Sequence, residues 1–82
     1  MTYFVYILQS EKDQGYYIGS SADIFKRLIF HNKGLQRSTK SRVPFKLIYS
    51  EELADKSAAL QRERQIKNYK GGEGLKKLLR GM

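Results

Sequence analysis

Apolar residues fill nearly every position from 3 to 8, with Tyr3, Val5 and Ile7 on one side of an extended chain and Phe4, Tyr6 and Leu8 on the other. A segment apolar on both faces predicts a central strand, here over residues 3–9, covered from both sides. Residues 15–20 predict a second, shorter strand, and the polar Glu11, Lys12, Asp13 and Gln14 make a hairpin the economical connection. With residues 11–14 as the loop, Ser10 faces Gly15 and Leu8 faces Tyr17, which sets Tyr6 and Tyr17 diagonally on one face of the sheet. An odd-length loop brings Tyr16 there instead.

The pattern then changes period. Residues 20–32 begin with hydroxyls, place Asp23 in the first turn, carry Ile24, Phe25, Leu28 and Ile29 at helical spacing and meet Gly34. These signals predict a helix of about three turns. Pro44 introduces residues 45–52, whose aromatic and aliphatic content suggests a third strand. Asp55 is a suitable N-cap for a helix over 56–70 that stops at Gly71 and Gly72. A last short helix over 74–80 places Leu75, Leu78 and Leu79 on one side. The order β-β-α-β-α-α implies an α+β domain, a small three-stranded antiparallel sheet flanked by helices.

Length narrows the organisation to a single domain over 1–82, with no room for a separate recognition domain. Without cysteine, neither disulfides nor thiolate metal sites are available. The apolar run at residues 3–8 is too short to span a bilayer and lacks both a basic flank and a small-residue cleavage site. A cytoplasmic address is therefore expected.

Charge adds a partner class. Sixteen Lys and Arg against eight Asp and Glu give a formal charge of +8, a field that favours polyanions. Residues 33–46 hold five basic residues, Lys33, Arg37, Lys40, Arg42 and Lys46, and no acidic one. No segment joins a basic face to a broad apolar one, so a membrane is not the expected partner.

Three residues carry candidate chemistry on their spacing alone. Arg27 and His31 are four apart on the first helix and share a stripe bordering Ile24 and Leu28. Such a donor pair suits a phosphate, because a guanidinium fork matches its oxygens. Glu63 lies four after Ala59 and three before Ile66, on the face that also carries Leu60. An inward carboxylate is costly without a partner, which leaves Arg27, a lysine, a hydrogen-bond network or a metal ion as possibilities.

Five ordered blocks, FVYIL, YYIGSS, FKRLIFHN, STKSRVPFKLIYSEE and SAALQRERQIK, resemble the GIY-YIG nuclease superfamily, in particular its small stand-alone bacterial members, over nearly the whole chain. The resemblance implies a three-stranded antiparallel sheet with the first strand central, and hydrolysis of nucleic-acid phosphodiesters with a divalent metal. It puts the tyrosine of the first half-motif on Tyr6, the second half-motif on Tyr17, Ile18 and Gly19, the helix arginine on Arg27, the following histidine on His31 and the metal-binding glutamate on Glu63. The first half-motif here reads Phe4-Val5-Tyr6, without its glycine.

By the same resemblance, Glu63 would hold Mg2+ or Mn2+, a hard cation suited to carboxylate, water and phosphate oxygens. Arg27 would neutralise charge on the phosphoryl oxygens, with His31 orienting or donating to the same group. Tyr6 would act as base or water-orienting group, supported by Tyr17, and would need nearby cations for the first role because a free phenol has a pKa of about 10. From their place in or beside the loop that follows the helix of Arg27 and His31, and not from the resemblance, Lys33, Arg37, Lys40, Arg42 and Lys46 are expected to grip the backbone beside the scissile phosphate. Related catalytic domains occur in excision-repair nucleases, homing endonucleases and junction-cutting enzymes, so a role in DNA repair or processing is expected, with DNA rather than RNA as partner. The alternative is a basic nucleic-acid-binding protein that keeps the fold without effective catalysis.

Overall fold

The structure is a computed structural model that describes residues 2–69 and 73–80. Strand β1 (Tyr3–Ser10) is followed by β2 (Tyr16–Ser21), helix α1 (Ile24–Asn32), a single 3-10 turn (Lys40–Arg42), β3 (Phe45–Leu53), α2 (Lys56–Lys67) and α3 (Glu73–Arg80). The sheet order is β2-β1-β3, both pairs antiparallel, so the first strand is central, as its two apolar faces require. The hairpin adopts the even-length register, with Leu8 opposite Tyr17 and Tyr6 opposite Gly19.

Alternation along β1 divides the interior in two. Val5 and Ile7 pack with Ala59 and Ile66 of α2 and Leu75 of α3, while Tyr6 and Leu8 pack with Ile24 of α1 and Phe45 of β3. Burying the larger of these side chains contributes on the order of 1.5–3 kcal/mol each.

Several boundaries move by a residue or more, each for a local reason. The second strand begins at Tyr16 and runs to Ser21 rather than covering 15–20, because the Gly15 amide turns to the Asp13 carboxylate at 2.7 Å. Asp23 is the cap of α1 instead of a first-turn residue, its carboxylate accepting from the Lys26 amide at 3.0 Å. Asp55 caps α2 in the same way through the Ala58 amide at 2.8 Å. That helix ends at Lys67 with Asn68 as its C-cap; the expected stop at Gly71 and Gly72 lies outside the described residues. Gly34 does end α1: it takes φ +73°, and the Gly34 and Leu35 amides close on the His31 and Phe30 carbonyls at 2.9 and 3.3 Å.

The helix faces also need correction. On α1 the sheet receives Ile24, Leu28 and His31, while Phe25 and Ile29 are exposed at 73% and 53%. On α2, Ala59 and Ile66 are buried but Leu60 points outward.

Two polar clasps hold the connection between α1 and β3 in place. The Asn32 side chain pairs with the Phe45 backbone, donating to its carbonyl at 3.1 Å and accepting from its amide at 2.7 Å. The buried Ser10 hydroxyl donates to the Arg42 carbonyl at 2.6 Å and accepts from the Lys12 and Asp13 amides at 3.1 Å each. Together they tie the end of α1 and the loop after it to the sheet that carries Tyr6.

Candidate active site

Tyr6 is the fixed point of the site. It lies on the central strand, its side chain on the face that α1 covers, and it is 1% exposed. Directly across β2 stands Gly19, where a Cβ would lie 2.6 Å from the Tyr6 phenol oxygen and 2.8 Å from the carbon bearing it. Only a residue without a side chain lets the phenol reach across β2. Tyr17, two residues earlier on the same face, sets its ring centre 6.4 Å from that of Tyr6 and 4.7 Å from that of His31. Ile18 points to the opposite face and packs against the Val5 and Ile7 core.

Helix α1 brings its pair from above. His31 is wholly buried; its Nε2 lies 3.5 Å from the Tyr6 phenol oxygen and its Nδ1 lies 3.0 Å from Thr39 Oγ1. Arg27, one turn earlier, lays its guanidinium 4.5 Å from the centre of the Phe30 ring, a stacking that fixes the direction of a long side chain. Helix α2 supplies Glu63, whose side chain is 17% exposed and whose Oε2 lies 2.7 Å from Lys67 Nζ. Of the partners left open by the sequence, a lysine one turn along is the one present.

Electrostatics link these groups. Burial pushes the Tyr6 phenol above the ordinary tyrosine range; the Arg27 guanidinium pulls the other way, and Tyr17 and Glu63 add to the rise. The cations that a base role at Tyr6 would need are outweighed by desolvation in the free protein, and Tyr6 rests as a neutral phenol. Burial, assisted by the Arg27 charge, holds His31 below the ordinary imidazole range, so it rests neutral too. A solvent-excluded phenol thus sits against a neutral imidazole under the influence of a guanidinium, while Glu63, on the helix packed against the Val5 and Ile7 face, acts on it only through its charge.

The carboxylate is suited to a hard divalent cation. Among the described residues no group of three His, Cys, Asp or Glu side chains comes together, but Mg2+ commonly uses one or two carboxylates and completes its shell with water and phosphate oxygens. Glu63 Oε1 makes no hydrogen bond or ion pair among the described residues, and the half-exposed Lys67 is the only partner of Oε2 there.

The loop cations are not equivalent. Lys33, Arg37 and Lys40 are exposed beyond the C-terminus of α1. Arg42 is committed to Asp13, with Nε 2.9 Å from Oδ2, and its guanidinium also lies over the Phe45 ring at 5.5 Å. Lys46 pairs with Gln9, on the sheet face that carries α2 and not α1.

Two contributors escaped the sequence reading. Phe30 carried a usable signal, its i,i+3 spacing from Arg27. Thr39 carried none: it is a hydroxyl in an irregular loop, yet it is 1% exposed and bonded to His31. A separate network on the other face, with Tyr49 donating to Glu51 and Arg62 gripping Glu51 at 2.8 Å, ties α2 to β3 and holds the Glu51 carboxyl below the usual range.

Comparison with known proteins places the chain in a family. The family description "GIY-YIG catalytic domain" matches residues 2–76. A UPF0213 protein of Staphylococcus saprophyticus is 40% identical over 80 residues, covering 96% of each chain. Another, from Streptococcus pneumoniae, is 38% identical over 68 residues, 82% of this chain and 68% of that one. Among solved structures, the solution NMR structure of a UPF0213 protein from Bacillus halodurans superposes with a TM-score of 0.51 at 30% identity, covering 83% of this chain and 72% of that one.

Proposed function

Because the chain belongs to the GIY-YIG catalytic domain family, we propose that it is an endonuclease that hydrolyses phosphodiester bonds, with DNA as substrate and repair or processing as its setting. The observation that carries this reading is the buried Tyr6 phenol, given room by Gly19, set against His31 of α1 and subject to the charges of Arg27 and Glu63.

Each group has a task its environment permits. Tyr6 is closed from solvent in the free protein, so the scissile phosphate has to open this face to reach it, and its charge draws the Arg27 guanidinium onto the anion. Arg27 then offsets charge growing on the phosphoryl oxygens. Tyr6, now facing the attacking water, accepts a proton from it while passing its own toward His31. Tyr17 packs against the His31 ring and limits where it can lie. Glu63 is the residue that would hold a divalent cation, Mg2+ or Mn2+, which when bound supplies Lewis-acid stabilisation of phosphate charge. Lys33, Arg37 and Lys40 contribute backbone affinity from outside this centre.

The test is a screen of purified protein against supercoiled, branched, flapped and single-stranded DNA, with Mg2+, Mn2+ or chelator. Metal-dependent cleavage that disappears in Glu63→Gln is the expected result. Salt-sensitive binding with no cleavage of any substrate would replace this reading by that of a binding protein on a nuclease fold, which the solvent exclusion of Tyr6 would then explain.

A further inference from the structure

Donor and acceptor accounting around His31 determines more than its position. Tyr6 and Thr39 each carry one hydroxyl proton, and a neutral imidazole carries one N–H. The Thr39 hydroxyl lies 3.4 Å from the Gln36 carbonyl oxygen, an acceptor only, which also takes the Thr39 and Lys40 amides at 3.0 and 2.9 Å. If it donates there, its oxygen accepts from His31 Nδ1 at 3.0 Å. Nε2 is then the unprotonated nitrogen, and the Tyr6 hydroxyl donates to it across 3.5 Å. In this arrangement the imidazole and phenol protons each find an acceptor, and the Thr39 proton shares the Gln36 carbonyl with two amides. In the opposite tautomer, with Nε2–H directed at Tyr6, the phenol proton has no acceptor among the described residues, because Arg27 beside it can only donate. A buried hydroxyl without an acceptor costs about 1–3 kcal/mol.

We infer that Thr39 is a positioning residue: it holds His31 as the Nδ1–H tautomer, so that Nε2 faces Tyr6 as the acceptor of its proton. The tautomer is a property of the free protein, and only its consequence for rate rests on the nuclease reading. In that consequence, the attacking water gives a proton to Tyr6, whose own proton passes to His31 Nε2, as the water oxygen bonds to phosphorus and the P–O bond to the leaving oxygen breaks, that oxygen taking a proton from solvent water. Nδ1–H stays bonded to Thr39 throughout, and the proton on Nε2 returns through Tyr6 to solvent after the product leaves. The displacement of Arg27 onto the phosphate removes the nearest charge opposing a protonated His31. The 33–42 loop is thereby part of the site through one side chain, and the clasps at Asn32 and Ser10 keep that side chain in register with Tyr6.

His31 is the sole histidine of the chain, so imidazole nitrogen signals of uniformly 15N-labelled protein need no assignment by mutation. At neutral pH the full chain is expected to show a protonated Nδ1 and an unprotonated Nε2. Thr39→Val, matched in shape but without the hydroxyl, shifts the imidazole toward the Nε2–H form, and Thr39→Ser restores the parent spectrum. In single-turnover cleavage, Thr39→Val is expected to slow the rate by about tenfold or more with little change in DNA affinity, and Thr39→Ser to recover most of it. An Nε2–H tautomer in the parent chain overturns the inference even if Thr39→Val does not fold, and so does a folded Thr39→Val with an unchanged spectrum or an unchanged rate. A chain that shows the Nδ1–H tautomer but cleaves nothing overturns the nuclease reading and leaves the tautomer assignment in place.

Discussion

Tyr6 and Gly19 face each other across the β1–β2 ladder so closely that a methyl group at position 19 would lie 2.6 Å from the phenol oxygen. The contact is with the functional end of a buried aromatic ring whose phenol oxygen also faces His31, and the Tyr17 ring crowds the same space at 3.1 Å. Gly19→Ala therefore cannot be absorbed by a small rotation of an exposed side chain. The expected outcome is a loss of about 1–3 kcal/mol in denaturant unfolding, as for other overpacked interiors. Loss of cleavage should exceed what that instability explains at temperatures where the variant is folded. An alanine variant with parental stability and activity would show that the phenol does not need the space above Gly19.

Glu63→Gln separates site chemistry from folding. The Glu63–Lys67 pair is an i,i+4 contact with a half-exposed lysine, so its loss should cost no more than about 0.5 kcal/mol. The carboxylate charge that a divalent cation requires is lost entirely. Cleavage should fall to background in a preparation freed of contaminating nucleases, while the melting temperature and DNA affinity in chelator stay close to the parent. A large drop in stability would instead assign Glu63 to the scaffold.

How much of this was legible in the sequence depends on which residues carry a period. β1 was readable as central because both of its faces are apolar, and the four-residue loop then set the register that joins Tyr6 and Tyr17. Glu63 was readable as inward from Ala59 and Ile66. Which side of α1 meets the sheet was not, because Phe25 and Ile29 have the same spacing as Ile24 and Leu28. The face that won includes a histidine, and a buried histidine is tolerated only because Tyr6 and Thr39 satisfy its nitrogens. That partner comes from an irregular loop, where no periodicity marks an inward residue. The commitment of Arg42 to Asp13 is likewise a contact between positions 29 apart and invisible to local pattern.

The burial of His31 has a pH signature. Its folded pKa lies below the ordinary value of 6.5, so the unfolded chain binds more protons in the window between the two values. Stability is fully present above about pH 6.5 and declines as pH falls through that window toward the folded pKa. His31→Gln cannot titrate and should flatten this part of the unfolding-midpoint profile between about pH 5 and 7, whatever it does to stability at neutral pH. Parallel profiles in the parent and His31→Gln would show that another group is responsible for the decline.

The loop cations divide into those free to meet phosphate and one that is not. Lys33, Arg37 and Lys40 are exposed beyond the end of α1, whereas Arg42 spends its guanidinium on Asp13 and on the Phe45 ring. Each cation that engages a duplex phosphate adds about 0.9 to the slope of log affinity against log salt. Neutralising Lys33, Arg37 and Lys40 together should weaken binding to all DNA sequences and flatten that slope by roughly two to three units if each makes one contact. At saturating substrate the single-turnover rate should change far less than in Arg27→Ala, which removes a contact to the reacting phosphate itself. Arg42→Gln should behave differently from both, leaving the salt slope near the parental value but loosening the hairpin from the 39–44 loop, seen as faster amide exchange near Asp13 and Gly15. A slope that drops by about one unit in Arg42→Gln would show that the Asp13 pair opens on DNA and that Arg42 belongs with the other three.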